Sequence, residues 1–278
     1  MPLVKTKAIT IKSQRWGEAD RIVTLYTERI GKIRGIGRGA RRMKSRFGSV
    51  LEPLRFIELT VFEKTPDTLA RISQADLLKS FDHIRTSLLM IGAAACMVQV
   101  VEALTADRDP NRALFASLVG GLQALHDGGD PTLLPLLFQI QALAHTGFHP
   151  QMDQCVVCNQ SSLSNEMRFS PSSGGLLCAP CWALVPGDSF RLSPGSLAFI
   201  RQVRHLSFPL ATRLRATGQI RQEVEATIQS HFKMVTSRSL PAQEMWAAEP
   251  SPPFYGSEFL DHTPQHEKPG DTEERYLG

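Results

Sequence analysis

The sequence has little of what membrane-spanning or secreted proteins need. Its longest apolar run, 87–104, contains Gln99 and Glu102 and falls short of the roughly 20 apolar residues of a membrane span. We interpret this run as a buried helix and expect no membrane partner. The first ten residues lack the apolar core of a secretory signal peptide. Five cysteines without an export signal indicate reduced thiols or metal ligands, and so a cytoplasmic protein.

The sequence also lacks common catalytic signatures. It contains no G-x-x-x-x-G-K-[ST] phosphate loop, no H-E-x-x-H motif and no G-x-S-x-G motif. Gly35, Gly37 and Gly39 have part of the dinucleotide-loop pattern, but the third glycine is misplaced and the flanking segments are strand-like. No acidic pair sits in an apolar setting that would tune a general acid. We therefore expect no enzymatic activity.

The charges are distributed unevenly along a chain that can form a packed core. Apolar residues make up 42% of the 278 residues and charged residues 21%, which excludes general disorder. Residues 1–85 carry 18 basic against 9 acidic side chains, whereas the rest of the chain carries 13 basic against 18 acidic ones. A basic N-terminal unit on a mildly acidic chain predicts a polyanionic partner for that unit.

Hydrophobic periodicity divides the chain into parts. Alternation at Ile9 and Ile11, and again at Ile57, Leu59 and Val61, predicts short half-buried strands, with a bulge or bend near Phe56. Five such strands in residues 1–80 suit a small OB-fold β-barrel. From residue 84 the period becomes helical, with helix starts predicted at 109–110, at 130–131 and at 193–195 and a long helix over 212–237.

We therefore predict an α+β protein in five parts. An N-terminal OB-fold β-barrel (1–80) is followed by an all-helical body (81–150 and 185–240) that carries a four-cysteine zinc-binding module (151–184). Residues 241–278 hold 8 acidic against 2 basic residues with little periodicity, which predicts a disordered acidic tail.

Four cysteines have the spacing of a structural zinc site. Two C-x2-C pairs, Cys155 with Cys158 and Cys178 with Cys181, are separated by 19 residues. Two thiolates on a tight turn reach one ion at about 2.3 Å, and two such turns complete a tetrahedron. Asn159 follows the first pair and tolerates the left-handed conformation that the turn requires. Four sulfur ligands leave no open position, so we predict one structural zinc ion.

A stretch of eight basic residues without an acidic one runs from Arg29 to Arg46 and is interleaved with glycines. On a small barrel it favours a groove for a nucleic-acid backbone, with Trp16, Tyr26 or Phe47 as stacking surfaces; the alternative is a solvated face. The predicted DNA-binding residues are Arg15, Lys32, Arg34, Arg38, Arg41, Arg42, Lys44 and Arg46.

Several motifs together resemble the RecO family of bacterial recombination and repair mediators. They comprise Trp16 to Asp20, Tyr26-Thr27 followed by Gly31-Lys32, Gly39 to Arg42, Ser45 to Gly48, Leu51 to Pro53, the cysteine pairs and Ser237 to Leu240. The resemblance covers roughly residues 3–240 and implies a protein without enzymatic turnover. Such a protein binds single- and double-stranded DNA, anneals complementary strands, and engages RecR and the C-terminal tail of single-strand binding protein. It thereby helps RecA to load onto coated DNA.

Two other classes remain open. One is a zinc-dependent enzyme that processes nucleic acid, which would need an open metal position. The other is an RNA-binding OB-fold protein, which competition between matched RNA and DNA strands would reveal.

Overall fold

The N-terminal residues form a closed barrel of five strands in a computed structural model that describes residues 3–62, 68–161 and 167–238. The strands follow the order β1-β2-β3-β5-β4, and β1 also pairs with β4 to close the barrel. All pairs are antiparallel except β3 with β5. Their bounds are β1 Leu3–Trp16, β2 Asp20–Thr27, β3 Gly31–Gly37, β4 Phe56–Phe62 and β5 Ala70–Lys79. The predicted OB-type barrel is confirmed.

The predicted bend near Phe56 is also confirmed. The pairing of β4 with β5 shifts register between Phe56 and Ile57, and Leu54 just before β4 has a φ of 59°. Ile9, Thr10 and Ile11 are all buried, so the alternation predicted at Ile9 and Ile11 does not hold across Thr10. A register shift between Thr10 and Lys12 interrupts the alternation in β1. Ile9, Ile11 and Tyr26 pack with the helical body, so helices cover this side of the barrel.

The helical body begins with a short 3-10 helix, Asp82–Thr86, which contains the buried Ile84. The predicted α-helix starts only after it. The α-helices of the body are α1 Leu88–Leu104, α2 Arg112–His126, α3 Leu134–His145, α5 Pro194–His205, α6 Phe208–Ala211 and α7 Gly218–Thr236. Among the described residues, no helix combines the length and the apolar character needed to cross a membrane.

Two predicted helix boundaries in the body are corrected. Helix α2 is capped by Asn111, whose side chain accepts a hydrogen bond from the backbone N–H of Leu114, and not by Asp109. The long helix predicted over 212–237 is present as α7, but it begins only at Gly218, because residues 212–217 are not helical. The start at 193–195 is confirmed, with Ser193 as the N-cap of α5.

The cysteine-containing module is a small sheet packed against the body. Its strands are β6 Gln151–Cys155, β7 Met167–Ser170, β8 Gly175–Cys178 and β9 Phe190–Leu192, in the order β6-β8-β7-β9, and helix α4 spans Ala179–Trp182. The sheet thus extends beyond the predicted boundary at 184, and the segment 185–240 is not wholly helical. The predicted acidic tail, 241–278, lies outside the described residues.

Candidate functional site

The four cysteines of the two C-x2-C pairs converge on one point. The sulfur atoms of Cys155, Cys158, Cys178 and Cys181 all lie within 4.8 Å of one another, and those of Cys158 and Cys178 are 3.5 Å apart. Metal–sulfur bonds of about 2.3 Å in a tetrahedron place the sulfurs about 3.8 Å apart, which this spacing accommodates. Three of the four side chains are buried and Cys158 is exposed. The cluster therefore has the geometry to hold a metal ion.

The ionisation of the thiols fits a cation in the cluster. Although burial opposes ionisation of Cys155, hydrogen bonds from the backbone N–H groups of Cys158, Cys178 and Val157 hold its pKa at about 6. The neighbouring Cys178 side chain and burial raise the pKa of Cys181 to about 12, because thiolates packed together repel. A divalent cation at the centre would remove that repulsion. The donor set of four sulfurs is typical of structural zinc.

The first cysteine pair lies on the expected tight turn. Asn159 has a φ of 59°, as predicted for the residue after Cys158. Its backbone N–H bonds to the carbonyl of Cys155 at 3.0 Å, which closes the turn. The second pair is positioned by the sequence Cys178-Ala179-Pro180-Cys181, in which Pro180 lies in the first turn of α4.

The basic stretch after β3 is a well-anchored connection on the barrel. The backbone N–H of Gly39 bonds to the carboxylate of Asp20 at 2.8 Å, and that of Arg41 bonds to the carbonyl of Ala19 at 2.9 Å. Ala40, Phe47 and Leu51 are buried in the barrel core. These contacts hold the connection against the turn between β1 and β2.

The charged side chains of this connection point outward. We call them the basic loop cluster, which consists of Arg38, Arg41, Arg42, Lys44 and Arg46. All five are exposed, and none forms an ion pair with another described residue. Arg41 donates a hydrogen bond from Nη1 to the carbonyl of Gly17. The cluster is therefore a surface of uncompensated positive charge.

One of the three predicted stacking residues is accessible. Trp16 is 57% exposed and lies beside Gly17, next to the basic loop cluster. Tyr26 and Phe47 are fully buried, so the expectation that they stack on bases is wrong. Both are core residues: Tyr26 contacts Phe115, and Arg46 covers the ring of Phe47.

The other predicted DNA-binding residues lie elsewhere. Arg15 is exposed near the end of β1, opposite Arg21. Arg34 is exposed in the middle of β3 and lines a separate cavity with Arg108. Lys32 points inward: its ammonium donates to the carbonyl of Thr105 at 2.8 Å and pairs with Asp107 at 3.5 Å. Lys32 therefore joins the barrel to α1, and we leave it out of the proposed surface.

Sequence reasoning did not single out Asp20, which orders the basic loop cluster through Gly39. Asp20 is the last residue of the motif Trp16 to Asp20, but the sequence pattern does not indicate which backbone group its carboxylate binds. The two arginines of the module sheet, Arg168 and Arg191, were also missed, because their pairing depends on strand register.

The fold and these two features define a class: an OB-type barrel protein with a basic surface and a helical body that carries a four-cysteine cluster with the geometry to hold a metal ion. The chain belongs to the RecO family. Residues 1–81 match the family model described as recombination protein O N terminal, and residues 85–244 match the one described as recombination protein O C terminal.

Curated relatives match over most of their length. The DNA repair protein RecO of Rubrobacter xylanophilus is 34% identical over 246 residues, covering 87% of this chain and 97% of that protein. The DNA repair protein RecO of Dehalococcoides mccartyi is 30% identical over 243 residues, covering 87% of this chain and 94% of the relative. The DNA repair protein RecO of Syntrophobacter fumaroxidans is 34% identical over 215 residues, covering 77% of this chain and 85% of that protein.

Proposed function

We propose that this protein is a DNA-binding recombination mediator in DNA repair. It binds single- and double-stranded DNA, anneals complementary strands and helps RecA to load onto DNA coated with single-strand binding protein, without enzymatic turnover. It acts in the cytoplasm and is associated with the nucleoid when bound to DNA. The observation that carries the proposal is the basic loop cluster, five exposed cations without an acidic partner among the described residues, beside the exposed Trp16.

Charge neutralisation explains how such a surface promotes annealing. Two polyanionic strands repel each other, and a cationic surface that holds them releases counterions and raises their local concentration. Arginine binds phosphate bidentately, and Trp16 offers a face for a base. Nothing in this step requires a covalent intermediate. Sequence preference is expected to be low, because phosphate contacts carry no sequence information.

A structural zinc ion fits this function better than a catalytic one. Four thiolates fill the coordination of a tetrahedral ion, so no position is left for water or substrate. We therefore assign one zinc ion to Cys155, Cys158, Cys178 and Cys181 and propose that it stabilises the module. The zinc-dependent enzyme considered from the sequence would need an open coordination position.

Partner proteins are proposed from the family. They are RecR, the C-terminal tail of single-strand binding protein, and RecA indirectly. The tail of single-strand binding protein is acidic with an apolar end, so its receptor should combine an apolar pocket with a free cation. Several arginines of the body already have acidic partners: Arg201 and Arg204 pair with Asp153, and Arg221 pairs with Asp130 and Glu225.

Arg215 is the strongest candidate for this receptor. It lines a cavity of about 670 Å³ together with Leu133, Leu134 and Pro209. Asp127 and Asp130 also line it, but Gln123 donates to the first and Thr132 to the second. Arg215→Ala should weaken binding of a labelled tail peptide while DNA affinity is retained. An unchanged peptide affinity would move the receptor elsewhere.

A salt titration tests the DNA surface directly. Changing Arg38, Arg41, Arg42 and Arg46 to Ala should weaken binding by orders of magnitude at low salt. Each lost contact should lower the slope of log affinity against log salt by about 0.7 for single strands and about 0.9 for duplex. Annealing should fail together with DNA binding, while the tail peptide still binds.

A charge-matched control separates specific contacts from overall charge. Arg112, Arg213, Lys233 and Arg238 are also exposed, and changing these four to Ala removes the same charge from the helical body. This control should anneal much as the parent does. If the two variants behave alike, the basic loop cluster is only a solvated face.

A preference for RNA in competition between matched strands would favour the RNA-binding alternative.

A further inference from the structure

Two arginines face each other on the sheet of the cysteine module. Arg168 of β7 and Arg191 of β9 are direct partners in an antiparallel pair, so their side chains lie on the same face of the sheet. Like charges directly opposite each other destabilise a sheet. Neither guanidinium forms an ion pair with a residue in the described part of the chain. A repelling pair without a counterion is a site that an anion would stabilise.

An indole completes this site. The guanidinium carbon of Arg168 lies 4.6 Å from the ring centroid of Trp182, which is partly exposed and directly follows the predicted metal ligand Cys181. Met167, Arg168, Trp182 and Arg191 line a cavity of about 230 Å³. The Nε of Arg168 is buried and has no hydrogen-bond partner among the described residues. The cavity thus combines two cations and a planar apolar face.

This combination suits one class of ligand. Guanidinium groups bind phosphate oxygens bidentately, and the partly exposed indole offers a surface on which a base can stack. An acidic peptide would satisfy the two charges but makes no use of the ring. A single-stranded nucleic acid uses both, because every nucleotide carries a phosphate and a π-face.

We propose that the cavity lined by Arg168, Trp182 and Arg191 is a second binding site for single-stranded nucleic acid, separate from the basic loop cluster. This inference rests on the proposed function, since a protein that anneals strands gains from holding them at two places. The metal cluster would then fix Trp182 in position through Cys181, and the ion itself would not contact the nucleic acid.

Tryptophan fluorescence of the zinc-loaded full chain tests the site. The chain has three tryptophans, Trp16, Trp182 and Trp246, so a background variant with Trp16→Phe and Trp246→Phe reports on Trp182 alone. Titration with an oligothymidylate should quench this fluorescence. Adding Arg191→Gln, an exposed position, should weaken the quenching and lower the salt slope by about 0.7; adding Arg168→Gln as well should lower it by about 1.4.

Three further measurements serve as controls for the second site. Changing Arg112 and Arg238 to Gln removes the same charge and should leave the quenching intact. Trp182→Ala should weaken binding to short oligonucleotides about fivefold or more, whereas Trp182→Phe should retain most of the affinity, because a phenyl ring also stacks. Zinc content and melting temperature should match the parent in the Arg191 variant.

The outcomes distinguish this inference from the proposed function. DNA binding measured by anisotropy, with no quenching of Trp182 and an unchanged salt slope for Arg191→Gln, would overturn the second site and leave the function standing. Absence of DNA binding by the parent would overturn both. Quenching by an acidic peptide but not by oligothymidylate would also overturn the nucleic-acid site and identify a peptide site instead.

Discussion

The guanidinium of Arg204 donates a hydrogen bond to Nε2 of His149, and this contact ties α5 to the segment that leads into the cysteine module. The imidazole must be neutral to accept this bond. Burial and the nearby charge of Arg204 lower the pKa of His149 from 6.5 to about 4, although Asp153 acts in the opposite direction. His231, which packs against Phe169 of the same module, also has a pKa lowered by burial.

These two histidines predict loss of stability in mild acid. Between pH 6.5 and about 4 the unfolded chain is protonated at His149 while the folded chain is not, so the free energy of unfolding falls as pH falls. Melting temperatures at pH 7.5 and 5.0 should show this decline. His149→Gln, which keeps an acceptor for Arg204 but does not titrate, should lose less stability over the same range. An identical decline for His149→Gln would contradict the prediction.

Metal removal should destabilise the module. Purified protein should contain about one zinc ion per chain, because four thiols meet within 4.8 Å. Cys155→Ser with Cys178→Ser should abolish the zinc content and lower the melting temperature by about 5 °C or more, since metal-binding free energy is partly folding free energy. Cys96→Ala removes a cysteine that is not in the cluster and should keep the zinc. If the melting temperature of the parent protein does not change when its metal is removed, the assignment is refuted.

Gly31 should be indispensable where the barrel meets the body. Its φ is +78°, and a Cβ there would lie 2.5 Å from backbone atoms of Asp109. Gly31→Ala should therefore cost about 2 kcal/mol or more of unfolding free energy. Alanine is strained at this φ, and its Cβ would clash with the backbone of Asp109. Gly17→Ala is the matched control, with a φ of +56° but no atom within 4 Å, and should cost about 1 kcal/mol. Urea unfolding measures both, and equal costs would show that the contact with Asp109 is unimportant.

The sequence predicted the parts that follow from local pattern and spacing. Alternation predicted the barrel strands, and the C-x2-C spacing predicted the cysteine cluster, because these signals lie within a few residues. It missed the burial of Tyr26, since helices from a distant part of the chain cover that side of the barrel. The opposition of Arg168 and Arg191 depends on the register between β7 and β9, which no single strand encodes.

Lys32 shows why a basic residue in a basic stretch need not contact a ligand, and it provides the sharpest test of the proposed surface. Its side chain is 15% exposed, and its ammonium bonds to carbonyls of Glu102 and Thr105 at the C-terminal end of α1, where a cation is favoured. Lys32→Met should therefore cost about 2 kcal/mol of unfolding free energy, the value of a buried hydrogen bond to a charged group. It should leave the salt dependence of DNA binding unchanged.

Lys44→Met is the same substitution at an exposed residue of the basic loop cluster, and it should leave stability unchanged while lowering the slope for single strands by about 0.7. Urea unfolding and a salt titration on both variants measure the two effects separately. If Lys32→Met lowers the salt slope without loss of stability, Lys32 belongs to the DNA-binding surface and the role derived from its contacts with α1 is wrong.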